Sequence, residues 1–347
     1  MKLKKPFGYT IGAAFIFLII LLALAEIAAR SDSVRSALPA PSMGGAIKSF
    51  GMKFAYLDRL VEKKGRVDCI VIGSSMILLG IDPPAFSRAY KARTGREMIC
   101  FNFGLGGFLP PGTAIAAKIL VEKYKPKLLL WGINPISFRA KFKQGPVDFL
   151  EKIPWVRYRR GDFNFEGWLT DLSYAYRYFL RFRVWSEQPE YSRGITKAES
   201  FISKYGRKVK KTNKLIPLKP KPGKLKRFRR NLTDSRGAKK ALTAFKKVLK
   251  LRSQTQVVIF EIPVHRSVLP LYRDGAEGHY RVVSYIKKQA NRRGIMFFPT
   301  MHLDLIPDEG WSNLNHMNNY GALVFSTWLG EQIAQAVKKG LIKIGID

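Results

Sequence analysis

The sequence predicts an α/β protein built on a parallel sheet and fastened to a membrane by one amino-terminal helix. Three observations predict it. Short apolar runs alternate with helical stretches in both halves of the chain, the rhythm of β-α-β units. Each run breaks at a turn containing Gly, Asn or Pro, as expected of short strands buried on both faces. Phe7 to Ala25 carries no charge over nineteen residues, and at ~1.5 Å per residue it spans ~28 Å, close to the thickness of a bilayer's hydrocarbon.

The length of 347 residues suits one large or two modest domains, and 46% hydrophobic with 12% aromatic residues excludes a disordered chain. The formal net charge of +36 predicts a polyanionic neighbour: nucleic acid, anionic lipid or an acidic envelope polymer. Lys2, Lys4 and Lys5 precede the apolar stretch, whereas Glu26, Arg30, Asp32 and Arg35 cancel just after it. The positive-inside rule then puts the amino terminus in the cytoplasm and the rest outside a single-pass cytoplasmic (inner) membrane anchor. That topology disfavours nucleic acid. A cleaved signal peptide ending near Ala28 and Ala29 is the rival reading, but the apolar stretch is longer than a usual signal core.

The expected organisation is a tail and anchor over 1–30, a juxtamembrane linker and leading helix over 31–60, an α/β domain from 61–136 and 235–347, and an aromatic and basic insertion over 137–234. The first strand, Val67 to Ile72, stops at Gly73-Ser74-Ser75. Glycine permits a sharp turn there, and the carboxyl ends of strands are where open α/β sheets hold reactive groups. Serine also caps helices, so the pair alone carries two readings. A helix from Asp82 to about Thr94 leads to a second strand, Glu97 to Phe103, which ends in Gly104-Leu105-Gly106-Gly107. A helix from about Thr113 to Tyr124 leads to a third, Lys127 to Trp131, ending at Gly132-Ile133-Asn134. Cys69 and Cys100 fall inside predicted strands and read as small core hydrophobes.

The next hundred residues break the rhythm. Trp155 to Trp185 interleaves aromatics with arginines, a spacing that suits packing. Lys204 to Arg230 holds thirteen Lys or Arg and no acid, interrupted by prolines, and predicts a mobile basic arm. Order returns with a helix from about Ser235 to Leu251, a strand from Gln256 to Ile262 running into His265, a helix from about Gly278 to Arg293, and a last strand, Ile295 to Pro299. Asn313-Leu314-Asn315-His316 then precedes a terminal helix from Tyr320. His279 and His302 have no partner at metal-ligand spacing, so no metal site and no cofactor are expected.

A serine after strand one, glycines after strand two, an Asn after strand three and a His before the last helix resemble the SGNH (GDSL-like) hydrolase superfamily. The likeness is to its membrane-anchored branch that modifies cell envelopes beside membrane-bound O-acyltransferases, where a GSS variant of the usual GDS block occurs. It covers about Val67 to Asn134 and Thr255 to Lys338. It implies a three-layer, flavodoxin-like parallel sheet and a serine hydrolase or acyltransferase acting on an envelope glycan or lipid-linked polymer. Ser75 would be the nucleophile and His316 the general base. The Ser75 N–H, the Gly107 N–H and the Asn134 amide would form the oxyanion hole. Asn313 stands where the family writes Asp, so an amide oxygen would orient the imidazole, with Asp308 or Glu309 as the alternative acid. The departure opens a second reading, a catalytically weak SGNH-fold protein that binds anionic polymers as an assembly factor.

Overall fold

The structure, a computed structural model, describes residues 5–45, 49–138, 145–209, 215–232, 238–300 and 304–345. In chain order, α1 (Lys5–Arg30), α2 (Asp32–Ala37) and α3 (Phe50–Lys64) precede β1 (Cys69–Gly73). Helices α4 (Ser75–Gly80) and α5 (Pro83–Thr94) lead to β2 (Cys100–Gly104), and α6 (Pro110–Tyr124) leads to β3 (Leu128–Ile133). Next come α7 (Gly145–Lys152), α8 (Pro154–Arg159), α9 (Phe165–Leu172), α10 (Tyr174–Glu187), α11 (Pro189–Glu199), α12 (Pro222–Leu232) and α13 (Ala238–Lys250). The chain then forms β4 (Gln256–Glu261), α14 (Gly275–Asn291), β5 (Met296–Phe298), the pair β6 (Trp311–Asn313) and β7 (His316–Met317), and α15 (Asn319–Lys338). It divides into two compact units, Met1–Ala55 with Phe149–Glu199, and Tyr56–Asp148 with Ser200–Asp347. The stretch read as one insertion is thus split: its helical part joins the amino-terminal unit and its basic part joins the sheet.

In the amino-terminal unit, α1 is long and apolar enough to cross a membrane. Residues 9–25 are all exposed, and only near its end do Glu26 and Ala29 become covered. There the Glu26 carboxylate accepts from the Tyr174 and Ala175 N–H groups, both at 3.0 Å, and from Ser173 Oγ at 2.8 Å. A carboxylate at the first turn of α10 satisfies amides that the helix itself leaves open. Phe50 and Phe54 of α3 meet Trp155 edge-on, so the predicted aromatic packing holds for Trp155.

The second unit is built on a five-stranded parallel sheet in the order β2-β1-β3-β4-β5. Val71, Leu130, Val258 and Phe260 pack with Phe86 of α5 and with Phe325 and Leu329 of α15. Trp131 instead meets Phe245 of α13, 5.4 Å between ring centres. Alternate residues therefore face different helices, which is why the strands read as unbroken apolar runs. Cys69 and Cys100 are paired across β1 and β2 as free, buried thiols, and burial pushes the Cys69 thiol well up. Helix α6 starts at Pro110 rather than Thr113; proline suits a first turn, where its missing N–H costs nothing.

The basic segment is the main correction. Tyr205 C=O accepts from the Asn102 N–H, and Leu78 C=O accepts from the Lys208 N–H, both at 2.9 Å, so residues 205–208 cover the open edge of β2. An uncovered edge strand would invite pairing with other chains. Arg207 is 5% exposed, bonded to Asp82 and to Asn319. Further on, Leu225, Phe228 and Leu232 of α12 pack onto the core at a helical i, i+3, i+7 spacing. The described part of the expected mobile arm is thus docked, with Lys219, Lys221, Lys224 and Lys226 displayed to solvent. Residues 210–214 lie outside the described residues.

Ile77 of α4 fixes the centre of this unit. A Cβ added at Gly73 would lie 2.5 Å from the Ile77 side chain, one at Gly104 would collide with the Ile77–Leu78 backbone, and one at Gly132 would collide with the Ile77 side chain. Three adjacent strand ends are glycine because one isoleucine occupies the space their side chains would take. Gly104→Ala, facing backbone that cannot yield, is expected to destabilise by about 1–3 kcal/mol. Gly106→Ala, with nothing within 4 Å, is expected to be near neutral; paired thermal unfolding of the two variants checks this.

Candidate active site

In a sheet of this order the chain reverses direction between β1 and β3, and ligands bind outside the strands' carboxyl ends at that point. Ser74 and Ser75 stand there. Gly73, with φ at 148°, makes the turn out of β1, and the two hydroxyls then take separate tasks. Ser74 is the N-cap of α4, its Oγ accepting from the Met76 N–H at 3.3 Å. Ser75, half-buried at the first helical position, has its Oγ 2.8 Å from Nε2 of His316. The capping reading thus holds for Ser74, and Ser75 is the serine that meets an imidazole.

His316 arrives on β7. The β6–β7 pair is held by Leu314 C=O accepting from the His265 N–H at 3.0 Å, by Ser312 Oγ donating to Met317 C=O at 3.1 Å, and by Asn318 N–H donating to Gly310 C=O at 2.9 Å. Met317 is buried, and Gly80 of α4 leaves room for its sulfur. The hydrogen bond of the dyad thus joins two elements that already pack together.

The remaining expected residues fall elsewhere. Asn313 Oδ1 accepts from the N–H groups of Asn315 at 3.1 Å and of His316 at 3.0 Å. A carbonyl oxygen has two lone pairs, so this side chain orients His316 through its main chain and not through the ring as expected. Asn134 is fully buried; its Nδ2 donates to Ile262 C=O at 2.8 Å and its Oδ1 accepts from the Ile136 N–H at 3.0 Å. It ties the end of β3 to the end of β4, with no exposed surface in this structure. Gly107 lies exposed in a turn with φ at 74°, its N–H free to face solvent. Asp308 is taken by His265, at 3.1 Å, and by Arg266, at 2.7 Å. Glu309 enters through its backbone carbonyl, which accepts from Asn318 Nδ2. Among the described residues, neither acid bonds His316. Asn102, in β2 two residues before Gly104, is a buried clamp, donating from Nδ2 to Ile77 and Ile81 C=O at 2.8 Å each.

Two imidazole–carboxylate pairs were not foreseen as pairs. His265 with Asp308, and His279 with Glu261 at 2.6 Å, line one cavity of about 60 Å³ at the carboxyl end of β4, walled also by Thr300 and Trp311. That is room for about four water molecules. His279 Nδ1 and Thr300 Oγ1 are buried there without a hydrogen-bond partner among the described residues. No spacing rule reveals these pairs, because their members are far apart in sequence. His302 lies outside the described residues.

No family model matches the chain, and no curated protein matches it.

Burial holds the His265 imidazole below its ordinary pKa of 6.5, outweighing the Asp308 carboxylate that pulls the other way. The geometry agrees: Nδ1 accepts from the Ser267 N–H at 3.3 Å, which requires an unprotonated Nδ1. The folded protein therefore binds this proton less readily than the unfolded chain. Its stability should fall as pH drops below about 6.5, and His265→Gln should flatten that fall in unfolding curves measured across the acid range.

Proposed function

We propose that the chain is a membrane-tethered serine esterase or O-acyltransferase of the SGNH type, its sheet arranged in the family's three-layer form. The observation that carries this reading is the 2.8 Å contact between Ser75 Oγ and His316 Nε2. A serine hydroxyl is a weak nucleophile until a base accepts its proton, and a half-buried imidazole within hydrogen-bond reach is that base. As Ser75 Oγ bonds to the acyl carbon, its proton passes to His316 Nε2. The same proton leaves with the departing alcohol when the old ester bond breaks. Water or an acceptor hydroxyl then gives its proton to His316 and takes the acyl group, and as the Ser75 ester bond breaks His316 returns that proton to Ser75 Oγ.

The carbonyl oxygen needs fixed donors during these steps. The Ser75 N–H, at the first position of α4, belongs to the amides a helix leaves open, and the Gly107 N–H is the second candidate. With Asn134 facing inward, the hole rests on main-chain donors. α1 is read as an uncleaved anchor with its basic start in the cytoplasm, leaving the catalytic unit outside. The exposed lysines of α12 suit an anionic glycan or lipid-linked polymer as acceptor, and a membrane-bound O-acyltransferase suits the role of acyl donor. The second reading, a polymer-binding assembly factor, draws on the Asn313 carboxamide being bound to backbone and not to the imidazole.

Fluorophosphonate labelling of the purified, detergent-solubilised chain separates the two. The expected adduct sits on Ser75 and forms at least ~100-fold more slowly in His316→Ala. A folded protein that gives no adduct would sink the enzyme reading in favour of the assembly factor.

A further inference from the structure

The amino-terminal unit exposes more large aromatic side chains than a water-soluble surface ordinarily carries. On α9, Phe165, Trp168 and Leu172 are 66%, 37% and 56% exposed, at an i, i+3, i+7 spacing that places them on one helix face. On α10, Phe179, Phe182 and Trp185 are 53%, 40% and 41% exposed, and the Phe182 and Trp185 rings stack at 6.1 Å. Tyr174, Arg177, Tyr178, Leu180 and Arg181 of the same helix are buried. The outward aromatics are thus additional to the helix's core contacts. Contiguous exposed apolar patches mark an interaction surface.

Their position says what covers them. Arg30, the last residue of α1, donates to Leu172 C=O at 2.9 Å, and Glu26 one turn earlier caps the first turn of α10. The end of α9 and the start of α10 are therefore tied to the end of the apolar helix. Every residue from 9 to 25 is left uncovered, an apolar cylinder long enough to cross a bilayer. If that cylinder crosses a bilayer, its last turn lies at the boundary between acyl chains and headgroups, and α9 and α10 are held at that depth. Trp and Tyr concentrate at this boundary because an apolar ring with a polar edge fits neither phase alone, and Phe and Leu beside them bury in the acyl side of it.

We propose that the outward faces of α9 and α10, carried by Phe165, Trp168, Leu172, Phe179, Phe182 and Trp185, lie in the lipid headgroup boundary beside the anchor. This rests on the reading of α1 as a membrane span. The surface adds a lateral footing to what would otherwise be a single-helix tether, and it fixes the orientation of the amino-terminal unit at the membrane.

Trp168 and Trp185 report the contact directly, since the other four tryptophans are buried or half-buried. The full chain is reconstituted into vesicles of phosphatidylcholine and phosphatidylglycerol carrying bromine either near the glycerol backbone or near the chain ends. The expected result is strong tryptophan quenching by the shallow bromines, weaker quenching by the deep ones, and loss of most of it in the Trp168→Phe, Trp185→Phe double variant. Protein that floats with the vesicles but is equally quenched in parent and double variant, or unquenched in both, overturns the proposal and leaves the span intact; a protein partner on this surface would give that outcome. Protein that fails to float with the vesicles, or is stripped from them by alkaline carbonate, overturns the span and this footing together.

Discussion

The seating of Ile77 against three strand-end glycines is the constraint on which the sheet-bearing unit depends. A six-residue helix has little stability of its own, since nucleating a helix fixes several residues for one hydrogen bond. Helix α4 exists because Ile77 is driven into the space at the ends of β1, β2 and β3, and because Asn102 holds the carbonyls of Ile77 and Ile81. Ser75 sits two residues before that isoleucine. Its hydroxyl is placed by packing well outside the site, so the geometry of the dyad is a property of the sheet.

The strands were legible because most are short apolar runs, and such runs occur where both faces are covered. Ser75 and His316 were legible for a different reason: each stands beside a chain break, a glycine turn in one case and the start of the last helix in the other. The amides were not. Asn134, Asn313 and Asn102 each bond main-chain atoms, and Asn134 and Asn102 reach partners on other elements, so nothing in their neighbours distinguishes a structural carboxamide from a catalytic one. Helix α12 was hidden in a similar way. Its Leu225, Phe228 and Leu232 are correctly spaced for a packed face, but the lysines and arginines between them and the prolines before them read as an arm without structure.

Charge and fold are therefore less separable than the composition suggests. The described part of residues 204–230 is held by backbone bonds to β2 and α4 and by the apolar face of α12, so Lys219, Lys221, Lys224 and Lys226 form an exposed surface on a docked segment. A polyanion meeting that surface would find its counter-charges already placed, with little of the ordering cost a flexible tail incurs on binding.

Arg207 constrains how the chain can evolve or be engineered. Its guanidinium joins Asp82, the cap of α5, to Asn319, the first residue of α15. Those elements lie next to the ones that carry Ser75 and His316. The residue is a keystone contributed by the very segment that looks dispensable in the sequence. Trimming the basic stretch would remove the brace beside the serine and the histidine together with the exposed lysines, whereas neutralising the outward lysines would separate the two effects.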